Sequence, residues 1–360
     1  MNSLVAYCRA GFESDTAQEI ETRAAEQGLY GYSQFVRNSG FVQFCCYQDE
    51  DAQTFAERIA VRELIFARQL FVCVAQLTAL DPSDRIGPLL AAVDDWPLAG
   101  EVVVEFPDTT EGRELAKFCR KFTVPLRQAL RKKGHLTAKE RTDKARMHAF
   151  FTQSDTVYWG YSLAGQRCPN VMGIQRLKFP SDAPSRSTLK LEEALHAFIP
   201  AAQWPERLRP GMTAVDLGAC PGGWTYQMVK REISVYAVDN GAMDEALMAT
   251  GLVSYHAEDG FKFSPPQPVN WLICDMIEQP QRVAELMARW VAIGRCQEAI
   301  FNLKLPMKKR YDSVQTALQI IRDVLTEHRK TARIQAKHLY HDREEITVHL
   351  RAADAARAHA

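Results

Sequence analysis

Apolar residues along the chain recur at two spacings, and each switch between them marks a new element. Near the start, LVAYCRA is a short apolar run that predicts a strand, and Asp15–Gln27 is built of good helix formers. LYGYSQFVRNSGFVQFCCY predicts two aromatic strands around a turn at Asn38-Ser39-Gly40. A helix over roughly Asp51–Glu63 and a strand in RQLFVCVAQL complete the order βαββαβ over residues 1–80. That is the order of a ferredoxin-like α+β unit, a fold that hosts many functions and selects none.

A second unit, residues 81–165, follows Asp81-Pro82-Ser83. EVVVEFP predicts a strand, and Glu111–Gly134 a long helix interrupted at Pro125. HAFFTQ and TVYWGYSL predict a hairpin around Ser154-Asp155. Three prolines and sparse apolar positions between Gly165 and Ser187 predict a linker at 166–187. From 188 to 353 strands and helices alternate. A helix at Leu189–Phe198 precedes strand MTAVDLG, a helix after Gly223, and strands SVYAVDN, VSYHA and VNWLICDM. A helix at Gln281–Ala292, strand AIFNLKL, a helix from about Ser313 to Glu327, and strands RIQAKHL and ITVHL complete the series. This predicts an α/β domain around a mostly parallel sheet of seven strands. Only YHDREE separates the last two strands, so they pair as a terminal antiparallel hairpin, and 354–360 is a frayed tail.

With 46% hydrophobic and 24% charged residues the chain is globular in composition, which excludes disorder and coiled coil. No run of about 18 uncharged apolar residues exists, so no membrane span is expected. MNSLVAYCRAGFE lacks the basic and apolar regions of a signal peptide. Nine cysteines without a CxxC argue against a zinc ribbon, an iron–sulfur cluster and a disulfide framework. The expectation is a reduced, cytoplasmic protein that needs no metal. Lysine plus arginine and aspartate plus glutamate both number 44, so any nucleic-acid contact must be local. Between Arg113 and Arg146 there are twelve basic residues against three acidic. Arg131, Lys132 and Lys133 are its candidate phosphate contacts, with Lys308, Lys309 and Arg310 as a second basic group; the competing reading is a solvated helix face.

The sharpest chemical signal is Ala214-Val-Asp-Leu-Gly-Ala-Cys-Pro-Gly-Gly-Trp224, a strand running through a glycine loop into a helix. Such a loop lets backbone approach a nucleotide-like ligand closely. The spacing is not GxGxxG, and Asp216 would repel a phosphate. A ligand with a positive end, such as the sulfonium and ammonium groups of S-adenosylmethionine, fits better. Asp239 ends the next strand, where a carboxylate can accept both hydroxyls of a ribose, and Asp259 follows the third strand, where it can meet an adenine amine. Taken singly, each also reads as a turn or cap residue. Asp275 follows the apolar run Trp271-Leu-Ile-Cys274, and Lys304 lies between Leu303 and Leu305, placed either to snorkel or to face the strand-end cleft. Ser187 is a plausible N-cap, which puts Lys190 in the first helical turn at a mild cost of roughly 0.3–1 kcal/mol. Glu345, taken alone, reads as a solvated charge.

In this order the residues resemble the FtsJ-type RNA ribose 2′-O-methyltransferases, whose pattern is a Lys-Asp-Lys-Glu tetrad around an S-adenosylmethionine site. The match falls on Lys190, Asp275, Lys304 and Glu345, and ACPGGWTYQ, NLKLPMKKRY and LYHDREE strengthen it. One departure is Met-Ile-Glu-Gln-Pro after Asp275, where many FtsJ-type enzymes continue Met-Ala/Ser-Pro. The resemblance implies a Rossmann-like class I methyltransferase domain preceded by ferredoxin-like and THUMP RNA-binding units. It implies S-adenosylmethionine as donor, and a cytidine ribose of 23S ribosomal RNA, or of a precursor of the large ribosomal subunit, as acceptor. Cofactor contacts carry over to Ser187, Cys220, Pro221, Gly222, Gly223, Asp239, Asp259 and Asp275, and the proton acceptor to Lys304. A free lysine titrates near 10.4, so whether Lys304 removes the proton or orients the hydroxyl stays open at this point. A nicotinamide dehydrogenase is disfavoured by the missing GxGxxG. A base-amine methyltransferase would carry Asn/Asp-Pro-Pro-aromatic where CDMIEQP stands, and a 5-methylcytosine enzyme needs a nucleophilic cysteine for which Cys274 is poorly placed. A non-catalytic RNA-binding protein would not need four charged groups in one cleft.

Overall fold

The computed structural model describes residues 2–93 and 96–353; the expected frayed tail lies outside the described residues. The chain divides into two compact units, Met1–Ile174 and Gln175–Ala360. In the first, β1 (Ser3–Tyr7), α1 (Glu13–Glu26), β2 (Gly31–Gln34), β3 (Phe41–Cys46), α2 (Asp51–Arg58) and β4 (Gln69–Leu77) follow in the βαββαβ order. They are followed by α3 (Ile86–Ala91), β5 (Ala99–Glu105), α4 (Thr110–Arg113), α5 (Ala116–Lys132), β6 (Ala145–Gln153) and β7 (Thr156–Ser162). All seven strands share one sheet in the order β2-β3-β1-β4-β7-β6-β5. At its centre β4 and β7 pair antiparallel, closing edges that would otherwise stay open. Gly160 permits this pairing, because a Cβ there would lie 1.9 Å from the Val72 carbonyl oxygen.

Two local expectations shift. The helix predicted to break at Pro125 runs through it, and the break falls instead between α4 and α5. Pro125 sits on the exposed side of α5, so the backbone carbonyl that lacks a donor there can turn to water. The second predicted helix stops at Arg58 and gives way to a single 3-10 turn at Val61–Glu63. Helix α3 was not foreseen; it has six residues and buries only Leu89, too little for a periodic signal. On α5, Cys119, Leu126 and Leu130 face inward, while Lys117, Arg120, Lys121 and Lys132 are exposed.

The second unit carries α6 (Thr188–Phe198), α7 (Trp204–Arg207), β8 (Thr213–Leu217), α8 (Gly223–Val229), β9 (Ser234–Val238), α9 (Glu245–Ala249) and β10 (Val253–His256). These are followed by β11 (Val269–Cys274), α10 (Pro280–Ala292), β12 (Cys296–Lys304), α11 (Arg310–Glu327), β13 (Ala332–Lys337) and β14 (Glu345–Ala352). The sheet order is β10-β9-β8-β11-β12-β14-β13, parallel except where β14 runs antiparallel to β12 and β13. Leu272, Ile273, Ile300, Phe301 and Val348 are fully buried along its middle, because helices cover both faces of a parallel sheet. From β8 the chain winds outward to β9 and β10, then returns to β11 on the other side of β8. That reversal opens a crevice at the carboxyl ends of β8 and β11, the usual ligand position of such sheets.

Candidate active site

Residues singled out in the sequence meet at that crevice. A cavity of about 470 Å³ is lined by Gly218 and Cys220 after β8, Asp239 and Asn240 after β9, Asp259, Gly260 and Phe261 after β10, and Asp275–Glu278 after β11. Behind it the glycine loop is packed too tightly for side chains. Gly222 has φ +118°, and a Cβ on Gly223 would lie 2.1 Å from Ser187 Oγ. Ser187 is thereby fixed beside the loop. It stands at the N-cap position of α6, but its side chain makes no capping bond, because its own backbone is already helical. Its hydroxyl instead lies 3.1 Å from that of Ser185.

Asp239 is aimed by backbone. Its Oδ2 accepts the Cys220 N–H at 2.9 Å and its Oδ1 those of Asn240 and Gly241 at 2.6 and 3.1 Å, so the carboxylate is held rigid at the cavity edge. Asp259 is exposed and accepts the Phe261 N–H at 2.9 Å, serving its own turn as well as lining the cavity. Asp216 is 1% exposed; Thr225 donates to its Oδ2 at 2.7 Å, while Oδ1 is buried without a hydrogen-bond partner. Burial, reinforced by the negative charges of Asp275 and Asp239 and opposed by the Thr225 hydroxyl, pushes its carboxyl up to about 7. Three acids crowd this end of the sheet. A cationic occupant relieves them; a phosphate does not.

Beside the cavity the predicted tetrad is assembled. Lys304, the last residue of β12, stands directly opposite Glu345, the first of β14. Lys304 Nζ donates to Asp275 Oδ1 at 2.6 Å and lies 4.0 Å from Glu345 Oε1. Lys190, in the first turn of α6, reaches Asp275 Oδ2 at 3.3 Å and pairs closely with Glu345. Lys304 therefore does not snorkel, and Glu345, its side chain 7% exposed, is not a solvated charge. Burial works against the charge on Lys190, yet Asp275 and Glu345 outweigh it and raise the ammonium above its ordinary value. Cys220 and Cys274 are pushed up to about 11 and about 12, chiefly by burial, so neither is a thiolate nucleophile.

Known proteins resemble this chain over nearly its whole length. A relative from Pseudoalteromonas atlantica, named ribosomal RNA large subunit methyltransferase M, is 57% identical over 353 residues, covering 98% of this chain and 99% of its own. The chain belongs to the ribosomal RNA large subunit methyltransferase M family. Its namesake from Pectobacterium carotovorum is 55% identical over 98% of this chain and 96% of its own. Family profiles match residues 1–71 (RlmM ferredoxin-like domain), 84–163 (ribosomal RNA large subunit methyltransferase M, N-terminal) and 183–328 (FtsJ-like methyltransferase). As a member of the family the chain is a methyltransferase, and S-adenosylmethionine is its donor.

The residues present fit that donor. The cavity, the Asp239 carboxylate held by three backbone N–H groups, and the negative charges of Asp239 and Asp275 near Asp216 suit a nucleoside bearing a sulfonium. Among the described residues no cluster of three or more His, Cys, Asp or Glu could hold a metal ion, and no helix is long and apolar enough to cross a membrane. Sequence reading missed Asn302 and Thr347, which are fully buried and hydrogen-bonded toward the tetrad. It also missed Ile277, 93% exposed on the cavity rim. Neither type carries a signal in one sequence, since an Asn, a Thr or an Ile within or beside a strand is ordinary. Of the basic groups, Lys132, Lys133, Lys308 and Lys309 are exposed, whereas Arg131 donates to the Thr137 carbonyl at 3.1 Å and Arg310 pairs with Glu344 at 2.8 Å.

Proposed function

We propose that this protein methylates the ribose 2′-hydroxyl of a cytidine in the 23S ribosomal RNA of the large subunit, which the resemblance to its family implies to be cytidine 2498. The observation that carries the reading is the four-charge cluster of Lys190, Asp275, Lys304 and Glu345 beside the donor cavity, with Asp275 belonging to both. The donor supplies an electrophilic methyl group on a sulfonium. Lys304 Nζ, oriented by Asp275 Oδ1, holds the 2′-oxygen for attack and takes its proton as the oxygen–carbon bond forms and the carbon–sulfur bond breaks, its electron pair staying on sulfur. Lys190 remains an ammonium throughout, since two carboxylates hold its charge. It keeps Asp275 and Glu345 from repelling each other and leaves Lys304 as the group that exchanges a proton. Alignment carries much of the acceleration, because transfer to a sulfonium methyl needs orientation more than a strong base.

The residues 81–165 serve this reading as a THUMP-type RNA-binding unit, and the exposed lysines of α5 as phosphate contacts. The work is cytoplasmic, where ribosomal RNA is assembled. The test is mass spectrometry of 23S ribosomal RNA from a deletion strain complemented with wild type or Lys304→Ala. A 2′-O-methylcytidine restored by the wild type alone supports the reading; a methyl group on the base, or restoration by Lys304→Ala, overturns it.

A further inference from the structure

Two side chains next to the tetrad have no part in the roles above. Asn302 and Thr347 are completely buried and stand opposite each other across the β12–β14 pair. Asn302 Nδ2 donates to Asp275 Oδ1 at 2.9 Å. Asp275 faces the donating Nζ groups of Lys190 and Lys304 and accepts from both, so this bond sets which way the amide points. Asn302 Oδ1 is then an acceptor aimed at Thr347, whose Oγ1 lies 2.8 Å away. The same hydroxyl lies 3.1 Å from Asp342 Oδ1 and 2.9 Å from its Oδ2.

A hydroxyl has one proton. Given to Asn302, it leaves Thr347 with only lone pairs toward Asp342, which is itself fully buried. Two bare oxygens at that separation, away from water, repel. Asp342 Oδ2 already accepts the Leu339 N–H at 2.9 Å, so the missing proton belongs on Oδ1. Among the charged groups facing Asp342 are Lys190 and Glu193 from α6 and Glu345 from β14. Burial, together with the charge of Glu345, holds this carboxyl well above the usual carboxylate range. We propose that Asp342, Thr347 and Asn302 form a one-way hydrogen-bond chain, protonated at Asp342, that positions the Asp275 carboxylate between the two lysines. The chain stops Asp275 from rotating, so that Oδ1 stays on Lys304 while Oδ2 stays on Lys190. These are positioning residues; none is assigned contact with the substrate. The proposal rests on the methyl-transfer reading of the site.

The experiment compares variants in RNA methylation and in S-adenosylmethionine binding. Thr347→Val keeps the side-chain shape and removes the hydroxyl, so kcat falls roughly 10- to 100-fold while cofactor Kd and RNA KM stay put. Thr347→Ser restores kcat. Asp342→Asn, whose amide can donate to Thr347 and accept from Leu339, keeps the turnover that Asp342→Leu loses. Infrared spectra of the wild type at neutral pH contain a protonated-carboxyl band that Asp342→Asn removes. Wild-type kcat in Thr347→Val overturns the positioning role, and an Asp342→Asn protein that is as slow as Asp342→Leu and lacks no band overturns the protonated chain. If Thr347→Val does not fold, the Asp342 pair and the spectrum decide. A wild type that methylates no ribose defeats the functional reading instead, and the spectrum still tests the chain.

Discussion

Asp216 is expected to couple donor binding to a proton. Its carboxyl lies at about 7 in the folded protein against an ordinary 3.8, mainly because it is buried. Below an ordinary carboxylate value the group is neutral in both folded and unfolded chains and does nothing to stability. As pH rises from there to about 7 the unfolded chain releases the proton first, so folded stability falls across that window. Above about 7 the full cost is present, roughly 4 kcal/mol at 1.36 kcal/mol per pKa unit. A cationic donor beside Asp239 and Asp275 favours the ionised form and draws the proton off. Donor affinity therefore rises up to about tenfold per pH unit below about 7 and flattens above it, with close to one proton released per donor bound near pH 6. The assay is calorimetric titration of S-adenosylmethionine at several pH values, in buffers of different ionisation enthalpy, for the wild type and Asp216→Asn. Asn keeps an oxygen for the Thr225 hydroxyl and removes the titrating charge. The variant loses this pH slope and proton release, binds the donor more weakly near pH 8, and is more stable than the wild type there when free. Identical proton counts and slopes in the two proteins would refute the reasoning.

Other outcomes follow from the same geometry. Asp239→Ala weakens S-adenosylmethionine by roughly 1.5–3 kcal/mol, the range for hydrogen bonds to a charged group, and an unchanged Kd in a folded protein removes Asp239 from the ribose role. Lys304→Ala abolishes turnover and leaves donor binding nearly intact; Lys304→Arg also fails, because a guanidinium stays charged and has another shape. Gly223→Ala forces Ser187 or the loop to move, since the new Cβ would sit 2.1 Å from its hydroxyl, and donor affinity falls in the same titration. Reversing Arg131, Lys132 and Lys133 to Glu weakens RNA binding and flattens its salt dependence without touching donor affinity. Equal salt slopes would make that stretch a solvated surface, and part of its charge does serve the C-terminal end of α5, where cations are favoured.

The order of elements was legible in the sequence because period-two and period-3.6 patterns report burial locally, residue by residue. The antiparallel β13–β14 pair followed from a connection too short to hold a helix, and two strand-end acids from apolar runs that stop at Asp239 and Asp275. Lys190, Lys304 and Glu345 were found only as a set, through a family pattern, since each alone is an ordinary charge. Tertiary structure decided the rest. It joined β4 to β7 in one sheet, a pairing between residues 80 to 89 positions apart that no local pattern encodes. It buried Tyr7, Glu105, His148 and Ser162 in one hydrogen-bonded chain, although in sequence they are scattered polar residues. It also turned Asn302, Thr347 and Asp342 toward Asp275. Burial of apolar side chains repeats along an element and leaves a periodic trace, whereas a hydrogen bond between distant strands depends on register and leaves none.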